Sequence, residues 1–333
     1  YMCLRHPPSR RCRHRPLIGA ESNHQLNWWF MTKEVTNMFY SPLRYPGGKG
    51  KLTSFMEYMI DELGHRGGTY IEPFAGGAGI AIELLLTNVV SRIVINDYDK
   101  GIWSFWKAIL TETDRFIEQL RSIPLNMEEW NRQHEICVNR NDRYSFELGF
   151  ATFYMNRTNR SGIIKGGVIG GQDQSGNWTM DVRFNREELE NRIRNIAKRK
   201  KDIKLYNKDI NSFLVHYVSI YEENALIYFD PPYYQKGKQL YMNFFKHEDH
   251  IRIEKSIREN VIGDWIITYD YAPEIKEIYR DYNLYLYDLN YSASKKCKTS
   301  ELIILKNGIE PPNNEKLYLK EININIRPLE GEQ

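Results

Sequence analysis

An α/β fold with an open sheet is the fold class that this sequence predicts, and two stretches carry the prediction. Residues 69–85 are typical of a strand, a glycine-rich turn and a helix in succession, which is the repeating unit of such sheets. The apolar run at 225–229 is typical of a buried strand that ends before Pro231 and Pro232, because proline cannot continue the hydrogen-bond ladder. Ligands bind such sheets at the carboxyl ends of the strands, so we expect both turns at the functional edge.

The composition is that of an ordinary globular protein. Its 333 residues, 41% of them hydrophobic, suffice for one large domain with an insertion or for two modest domains. A net charge of only +3 means that nucleic-acid binding has to come from local basic patches. The sequence shows no apolar run near the roughly 20 residues that cross a bilayer, and its four scattered cysteines suit a reducing compartment. We therefore predict a cytoplasmic protein that does not bind membranes.

Residues 1–37 differ from the rest of the chain. The first sixteen residues hold five arginines, two histidines and no acid, and Met31 and Met38 are candidate start sites. We expect a disordered or non-native leader, with a basic DNA-binding arm as the alternative. The leader also holds four side chains of the types that bind zinc, but no metal site is predicted because their spacing matches no common zinc module. They are Cys3, His6, Cys12 and His14.

A first glycine-rich loop at 41–52 opens a predicted helix that continues through Met59 and Leu63. Glycines let backbone amides approach a ligand closely, and the start of a helix favours anionic groups. The glycine spacing and the lack of a Lys-Ser or Lys-Thr end exclude a Walker A loop. Lys49 is placed instead to meet a carboxylate, with Tyr45 four residues before it.

The second glycine turn has the pattern of a nucleoside site. Phe74, Gly76 and Gly77 follow a predicted strand and precede a predicted helix. The next strand, predicted at 89–95, leads to Asp97, which lies 20 residues after Gly77. An acid at that separation is typical of units that bind an adenosine-containing cofactor, because its carboxylate accepts hydrogen bonds from the ribose hydroxyls.

Between about 105 and 202 the alternation of strands and helices is interrupted. Helices are predicted at 102–110 and 115–123, and a glycine-rich loop follows residues 150–157. The segment 183–204 contains nine basic and four acidic residues, which indicates either a solvated helix or a phosphate-contacting surface. We expect the polar and basic side chains in and before the loop to contact DNA, namely Arg157, Asn159, Arg160 and Lys165.

The alternation returns at 203–206, and Asp209 follows that strand. Its carboxylate is placed to accept from the adenine amine of a cofactor, but capping of a helix N-terminus explains it nearly as well. Further strands are predicted at 265–269, 284–289, 301–305 and 318–326.

The turn after the strand at 225–229 carries most of the chemistry. Asp230 supplies a carboxylate, Pro231 supplies a carbonyl whose direction Pro232 helps to fix, and Tyr233 supplies an aromatic face. Together these groups are able to hold a flat base by its exocyclic amine. The alternative is a tight Asp-Pro-Pro turn capped by a core tyrosine.

Four segments in this order resemble the motifs of Dam-type (D12 class) site-specific DNA adenine-N6 methyltransferases. They are 43–49, 72–77, 96–97 and 230–233. The resemblance covers about 41–306 and implies a Rossmann-like, mostly parallel sheet of seven strands with an antiparallel edge hairpin. It also implies a mainly helical target-recognition region inserted into the catalytic domain. We therefore predict a catalytic domain at 38–104 and 203–330, with the recognition region at 105–202.

The same resemblance implies S-adenosyl-L-methionine as methyl donor and double-stranded DNA as substrate. The residues that it assigns to the donor are Tyr45 and Lys49 near the methionine end, Phe74, Gly76 and Gly77 at the binding turn, Asp97 at the ribose, Asp209 at the adenine, and Asp230.

For the target base the resemblance implies extrusion from the duplex, since a stacked base cannot be reached. Asp230 and the Pro231 carbonyl would accept hydrogen bonds from the adenine amine, so that its nitrogen attacks the donor methyl directly. Tyr233 would stack on the extruded ring. Enzymes that methylate cytosine at carbon use a Pro-Cys nucleophile, and no cysteine here follows a proline. Cytosine-N4 and protein-glutamine enzymes more often show Ser or Asn in place of Asp230, so adenine N6 is favoured.

Two alternatives stay open at this stage, an RNA adenine-N6 methyltransferase and a non-catalytic DNA-binding subunit that retains the fold. A cognate restriction enzyme is a further expected partner, whereas the sequence indicates no obligate protein partner. Residues 156–161 resemble the Asn/Arg-rich turn of the family, but 166–171 depart from its pattern. Recognition of GATC, which is frequent among relatives, is therefore not carried over to this chain.

Overall fold

The computed structural model describes residues 40–44, 52–141, 143–235, 245–289 and 301–329. The strands in chain order are β1 (Thr69–Glu72), β2 (Arg92–Asn96), β3 (Ile203–Tyr206), β4 (Ala225–Phe229), β5 (Asp264–Asp270), β6 (Asn283–Leu289), β7 (Glu301–Leu305) and β8 (Ile324–Pro328). The helices are α1 (Thr53–Glu62), α2 (Gly79–Leu86), α3 (Lys100–Thr111), α4 (Thr113–Ser122), α5 (Met127–Val138), α6 (Phe146–Thr158), α7 (Arg186–Lys198), α8 (Ile210–His216), α9 (His247–Asn260), α10 (Pro273–Ile278) and α11 (Asn314–Leu319). Within these described ranges, every helix is too short or too polar to cross a bilayer.

The eight strands form one sheet in the order β3-β2-β1-β4-β5-β7-β6-β8. The first five strands are parallel, and β7, β6 and β8 are added antiparallel. The predicted α/β class with an antiparallel edge is confirmed, but the sheet has eight strands rather than seven. The expected strand at 318–326 is wrong at its start. Asn313 caps α11 by accepting from Lys316 N at 2.8 Å, and β8 begins only at Ile324.

The parallel half of the sheet is covered on both faces, as parallel sheets require. In β1, Tyr70 belongs to the core on one face and Ile71 to the core on the other. In β4, Tyr228 and Ile227 divide in the same way. The two strands pair in parallel with Ile71 opposite Ile227, so their carboxyl ends lie side by side at one edge of the sheet.

The chain between β2 and β3 is helical, as the sequence predicts, and α3–α7 contribute to the core on one face of the sheet. Every residue of helix α6 except Glu147 is buried. A Cβ atom at Gly149 would lie 2.5 Å from the carbonyl oxygen of Ser104, so α6 and α3 approach closely there. The helical region between β2 and β3 therefore shares a hydrophobic core with one face of the sheet. Its role as a separate recognition region, with boundaries at 105 and 202, stays a prediction.

Candidate active site

One buried side chain, Asn96, joins the carboxyl ends of β1, β2 and β3. Its Nδ2 donates to the carbonyl oxygens of Pro73 at 3.0 Å and Lys208 at 3.1 Å, and its Oδ1 accepts from Lys208 N at 2.9 Å. Buried polar groups are stable only when they are satisfied in this way. Asn96 therefore fixes the loops that follow the three strands relative to one another.

Asp97 follows Asn96 in the sequence and is hydrogen-bonded to the glycine turn. Its Oδ2 accepts from Gly76 N and its Oδ1 from Asp99 N, both at 2.8 Å. Trp106 holds the same turn by donating from Nε1 to the Gly76 carbonyl at 2.9 Å. Burial, followed by the neighbouring Asp99, raises the pKa of Asp97 to about 7, although the two amide bonds act in the opposite direction. The carboxylate is fixed in place, and further donors would favour its ionised form.

Two cavities open at this edge of the sheet. The first, of about 300 Å³, is bordered by Asp97 and Asp209. The second, of about 530 Å³, lies along the glycine turn and the start of α2, with Glu72 in its wall. Phe74 and Asp230 line both cavities. The two spaces therefore meet at these two side chains.

Asp230 lies just past the end of β4, and its orientation is set by the neighbouring strand. Its Oδ1 accepts from the Thr268 hydroxyl of β5 at 3.2 Å. Because that hydroxyl donates to Asp230, it accepts in turn from the Tyr228 hydroxyl 2.7 Å away. Thr268 is fully buried, Asp230 is half-buried, and the following Pro231 is buried. A carboxylate held at the junction of two cavities is able to accept hydrogen bonds from an amine.

The geometry is that of a ligand site at the carboxyl ends of parallel strands, and comparison with known proteins shows the family to which the chain belongs. The family model of D12 class N6 adenine-specific DNA methyltransferases matches residues 45–293. The chain belongs to this family. It is therefore an adenine-specific DNA methyltransferase, as the sequence predicts.

Two curated relatives of this methyltransferase are type II methyltransferases. M.MjaIII of Methanocaldococcus jannaschii is 24% identical over 237 residues, which are 65% of this chain and 78% of that protein. M1.LlaDCHI of Lactococcus lactis subsp. cremoris is 20% identical over 287 residues, which are 80% of this chain and 94% of that protein. Among solved structures, protein LPL1258 of Legionella pneumophila matches 87% of this chain and 99% of its own at 12% identity, with a TM-score of 0.34. That TM-score is too low to add to the assignment.

In this methyltransferase the tyrosine of the Asp-Pro-Pro-Tyr turn is anchored inside the protein. Tyr233 is 8% exposed and donates to Glu301 Oε1 at 3.0 Å. Glu301 also accepts from the Tyr287 hydroxyl. The described walls of the two cavities include Asp230 and Pro232 but not Tyr233. Stacking of Tyr233 on a base therefore stays a prediction.

Asp209 caps helix α8. Its Oδ1 accepts from Asn211 N at 3.1 Å and Ser212 N at 3.2 Å, so the capping interpretation of this residue is confirmed. The same residue borders the first cavity, and its contact with a cofactor adenine stays a prediction. Tyr45 and Lys49, together with the leader at 1–37, lie outside the described residues.

Asn159, a predicted DNA contact, is an interior residue. It is fully buried, and its Oδ1 accepts from Trp130 Nε1 at 2.8 Å. Its Nδ2 donates to the carbonyls of Ile163 at 3.1 Å and Ile164 at 3.0 Å. The side-chain oxygen and nitrogen of Asn159 thus form their hydrogen bonds within the protein. The expectation that Asn159 contacts DNA does not fit this buried position.

The three predicted cations differ in their exposure. Arg160 and Lys165 are exposed at the surface of the loop, where phosphates could reach them. Arg157 is in the last turn of α6 rather than in the loop, is 7% exposed and lines the second cavity. Burial is the reason that Arg157, like Asn159, does not suit the predicted contact with DNA.

Glu72 is a buried carboxyl to which the sequence analysis assigns no role. It ends β1, is 5% exposed and lines the second cavity together with Asp230. Burial, with the charge of Asp230, raises the pKa of Glu72 to about 8. The signal in the sequence is an acid at the end of each of two strands, but only the folded chain pairs those strands.

Asn156 is a second residue of the site to which the sequence analysis assigns no role. Its Oδ1 accepts from Arg44 N at 2.7 Å, and its Nδ2 donates to the carbonyls of Arg44 at 2.7 Å and Gly162 at 2.9 Å. Gly162 has a φ of +75°, and a Cβ atom there would lie 2.6 Å from the Arg44 carbonyl oxygen. Asn156 and Gly162 therefore clamp the segment 40–44 at the wall of the second cavity. From the sequence alone, the Asn/Arg-rich turn predicts a contact with DNA, and this internal contact is not predicted.

Proposed function

We propose that S-adenosyl-L-methionine is the methyl donor and that it binds across the two cavities, with adenosine in the first and methionine in the second. The observation that carries this proposal is that Phe74 and Asp230 line both cavities. A donor made of a nucleoside and an amino acid suits two joined compartments, and the turn at Gly76 and Gly77 would pass beside it. The bound donor would supply an electrophilic methyl group at the junction.

The residues around the first cavity suit a nucleoside. Asp97 is held by two backbone amides, and ribose hydroxyls that donate to it would favour its ionised form. Phe74 and Phe245 pack edge to face with ring centroids 5.9 Å apart and give this cavity an apolar wall. Asp209 borders the same space and would face the adenine amine.

The target adenine would reach the junction after extrusion from double-stranded DNA, because its amine is out of reach in the stack. Asp230 and the Pro231 carbonyl would accept hydrogen bonds from that amine, so that its nitrogen lone pair would be available for attack on the methyl carbon. The bond between that carbon and the donor sulfur would break, a neutral thioether would leave, and the methylated amine would lose one proton. Pro232 would fix the direction of the turn, and Tyr233 would flank the extruded ring.

DNA would lie against the exposed side of the inserted region. Arg160 and Lys165 are exposed cations there and would contact phosphates. The parts at 38–104 and 203–330 would hold the donor and the target amine, while 105–202 would select the sequence. The relatives named type II methyltransferases support a cognate restriction enzyme as a partner.

Asp230→Asn tests the role of the carboxylate, because it keeps the shape of the side chain and removes its charge. We expect transfer of labelled methyl groups to duplex DNA to fall by about 100-fold or more, while donor affinity stays within a few-fold of the wild type. The matched control is Asp114→Asn, a change at an exposed acid of α4, which should leave the rate unchanged. Full activity of Asp230→Asn would overturn the role that we give this residue.

A further inference from the structure

Arg157 is a buried cation that forms no ion pair with the described residues, although the negative charge of Glu188 acts on it in the direction that raises its pKa. Its Nε has no hydrogen-bond partner within the described ranges, and the residue is 7% exposed. Removal of a charge from water is costly unless the charge is paired. Burial, and then the nearby Arg192 and Arg44, lower the pKa of Arg157 to about 9, so the guanidinium is still charged at neutral pH.

Two of the neighbouring arginines, Arg192 and Arg44, have partners, whereas Arg183 on the same cavity is exposed. Arg192 pairs with Glu188 on the next turn of α7. Arg44 donates from Nη1 to the carbonyl of Asn159 at 3.1 Å. Arg157 Nε is therefore a buried donor of this wall to which the described residues offer no acceptor.

The second cavity offers an anion a further favourable contact. Helix α2 begins on this cavity at Gly79, and its N-cap residue Ala78 provides no side-chain acceptor. The Ala81 amide already interacts with the Glu72 carboxyl, so an anion would meet the amides of Gly79 and Ile80. Unsatisfied amides at the start of a helix attract negative charge. A buried guanidinium whose Nε has no acceptor among the described residues lies on the same cavity as a helix start. Together they indicate a site for a small anion, although Glu83 and Glu188 also line the cavity.

We infer that Arg157 binds the carboxylate of the methionine half of the donor, an inference that rests on the proposed use of S-adenosyl-L-methionine. The planar guanidinium matches a carboxylate through two parallel hydrogen bonds. This half of the donor would occupy the cavity that Arg157 lines, and that cavity reaches Phe74 and Asp230 at its junction with the first. A carboxylate held by Arg157 would orient the methyl group toward Asp230.

A DNA phosphate carries a similar charge but suits this position less well. Phosphates of a duplex are contacted from the surface, and Arg160 and Lys165 are the exposed cations nearby in the sequence. Arg157 is enclosed by comparison, in the wall of a cavity of about 530 Å³. A small carboxylate is therefore the anion that fits.

The test compares two ligands that differ only in this carboxylate. Calorimetric titration without DNA measures the affinity of the whole 333-residue chain for S-adenosyl-L-methionine and for its decarboxylated form. We expect the wild type to prefer the carboxylate-bearing ligand by about tenfold to 100-fold, the range of a hydrogen bond to a charged group. Arg157→Met should lose that preference and bind the decarboxylated ligand about as well as the wild type does. Arg157→Lys, which keeps the charge, should retain part of the preference.

Arg183→Met is the matched control, because Arg183 is an exposed arginine on the same cavity, and it should keep the full preference. If Arg157→Met lost affinity for both ligands equally, the role of Arg157 would be merely structural and the inference would be overturned. An unchanged preference would also overturn it, and an accompanying fall in DNA affinity and in its salt dependence would assign Arg157 to a phosphate. If the wild type binds neither ligand, the proposed donor itself is wrong.

Discussion

Glu72 and Asp230 stand at the carboxyl ends of two paired strands and line one cavity. Burial of Glu72 and the charge of Asp230 together raise the pKa of Glu72 to about 8, so that its carboxyl group is mostly protonated at neutral pH. A protonated Glu72 adds no second negative charge beside Asp230, which is the side chain that we propose to accept hydrogen bonds from an amine. The buried acid thus helps to keep the site from carrying two charges.

Glu72→Gln is expected to flatten the dependence of stability on pH. The folded protein keeps this proton up to about pH 8, whereas the unfolded chain releases it near 4.5. Between these values the folded state binds more protons, so its stability falls as the pH rises, by about 1.4 kcal/mol for each pH unit of that window. Glutamine does not titrate, and urea unfolding at about pH 5 and about pH 8 should therefore show a smaller fall for the variant. Glu259→Gln, at an exposed position of α9, should behave as the wild type. Parallel curves for the wild type and Glu72→Gln would contradict the raised pKa.

At the scale of elements, the strands could be predicted wherever an apolar run is continuous. Strands β3, β4 and β7 occupy the predicted residues 203–206, 225–229 and 301–305, because such runs identify buried strands locally. Asp97 and Asp230 were predictable for the same reason, since each follows such a strand. Strand β2 begins later than predicted, because Val89 N and Val90 N donate to the Leu84 carbonyl at the end of α2.

The clamp around Asn156 could not be predicted in this way. Asn156 holds Arg44 from 112 positions away, and Asn159 is satisfied by Trp130 on another helix. Sequence alone identifies both asparagines only as polar residues near a loop, which favours a surface role. Their burial depends on partners that only the folded chain brings together.

Gly162→Ala tests this clamp. At a φ of +75° alanine is strained, and its Cβ would lie 2.6 Å from the Arg44 carbonyl oxygen. We expect a loss of about 1–3 kcal/mol in the free energy of unfolding and weaker donor binding, because Arg44 lines the second cavity. Gly167→Ala is the matched control, since a Cβ atom at Gly167 meets nothing within 4 Å. Urea unfolding and donor titration compare the two variants, and equal stability would contradict the close approach.

At the scale of the described molecule, each cavity has one wall from the sheet edge and another from the inserted region. Asn156 and Arg157, neighbours on α6, line the first and the second cavity respectively. Helix α6 in turn shares a core with one face of the sheet. A donor across both cavities would therefore contact the sheet and the inserted region together. Its binding free energy would add to the stability of the native state.

Donor binding should accordingly raise the melting temperature, and Asp97→Asn should remove most of that rise. At a donor concentration of about 100 times Kd, the wild type should gain about 2.7 kcal/mol. Both Asp97 oxygens accept from backbone amides, so the amide nitrogen of the variant would face one of these donors. The unliganded variant should therefore be less stable than the wild type by about 1–3 kcal/mol, and the gain on donor binding is measured for each protein against its own unliganded state. Asparagine lacks the negative charge that attracts ribose hydroxyls, so the rise in melting temperature on donor binding, measured by calorimetry, should be smaller.

Asp281→Asn is the control, because Asp281 is exposed, and donor binding should raise its melting temperature as much as that of the wild type. An equal gain for Asp97→Asn would remove Asp97 from the donor site, whereas no gain in the wild type would overturn the proposed donor.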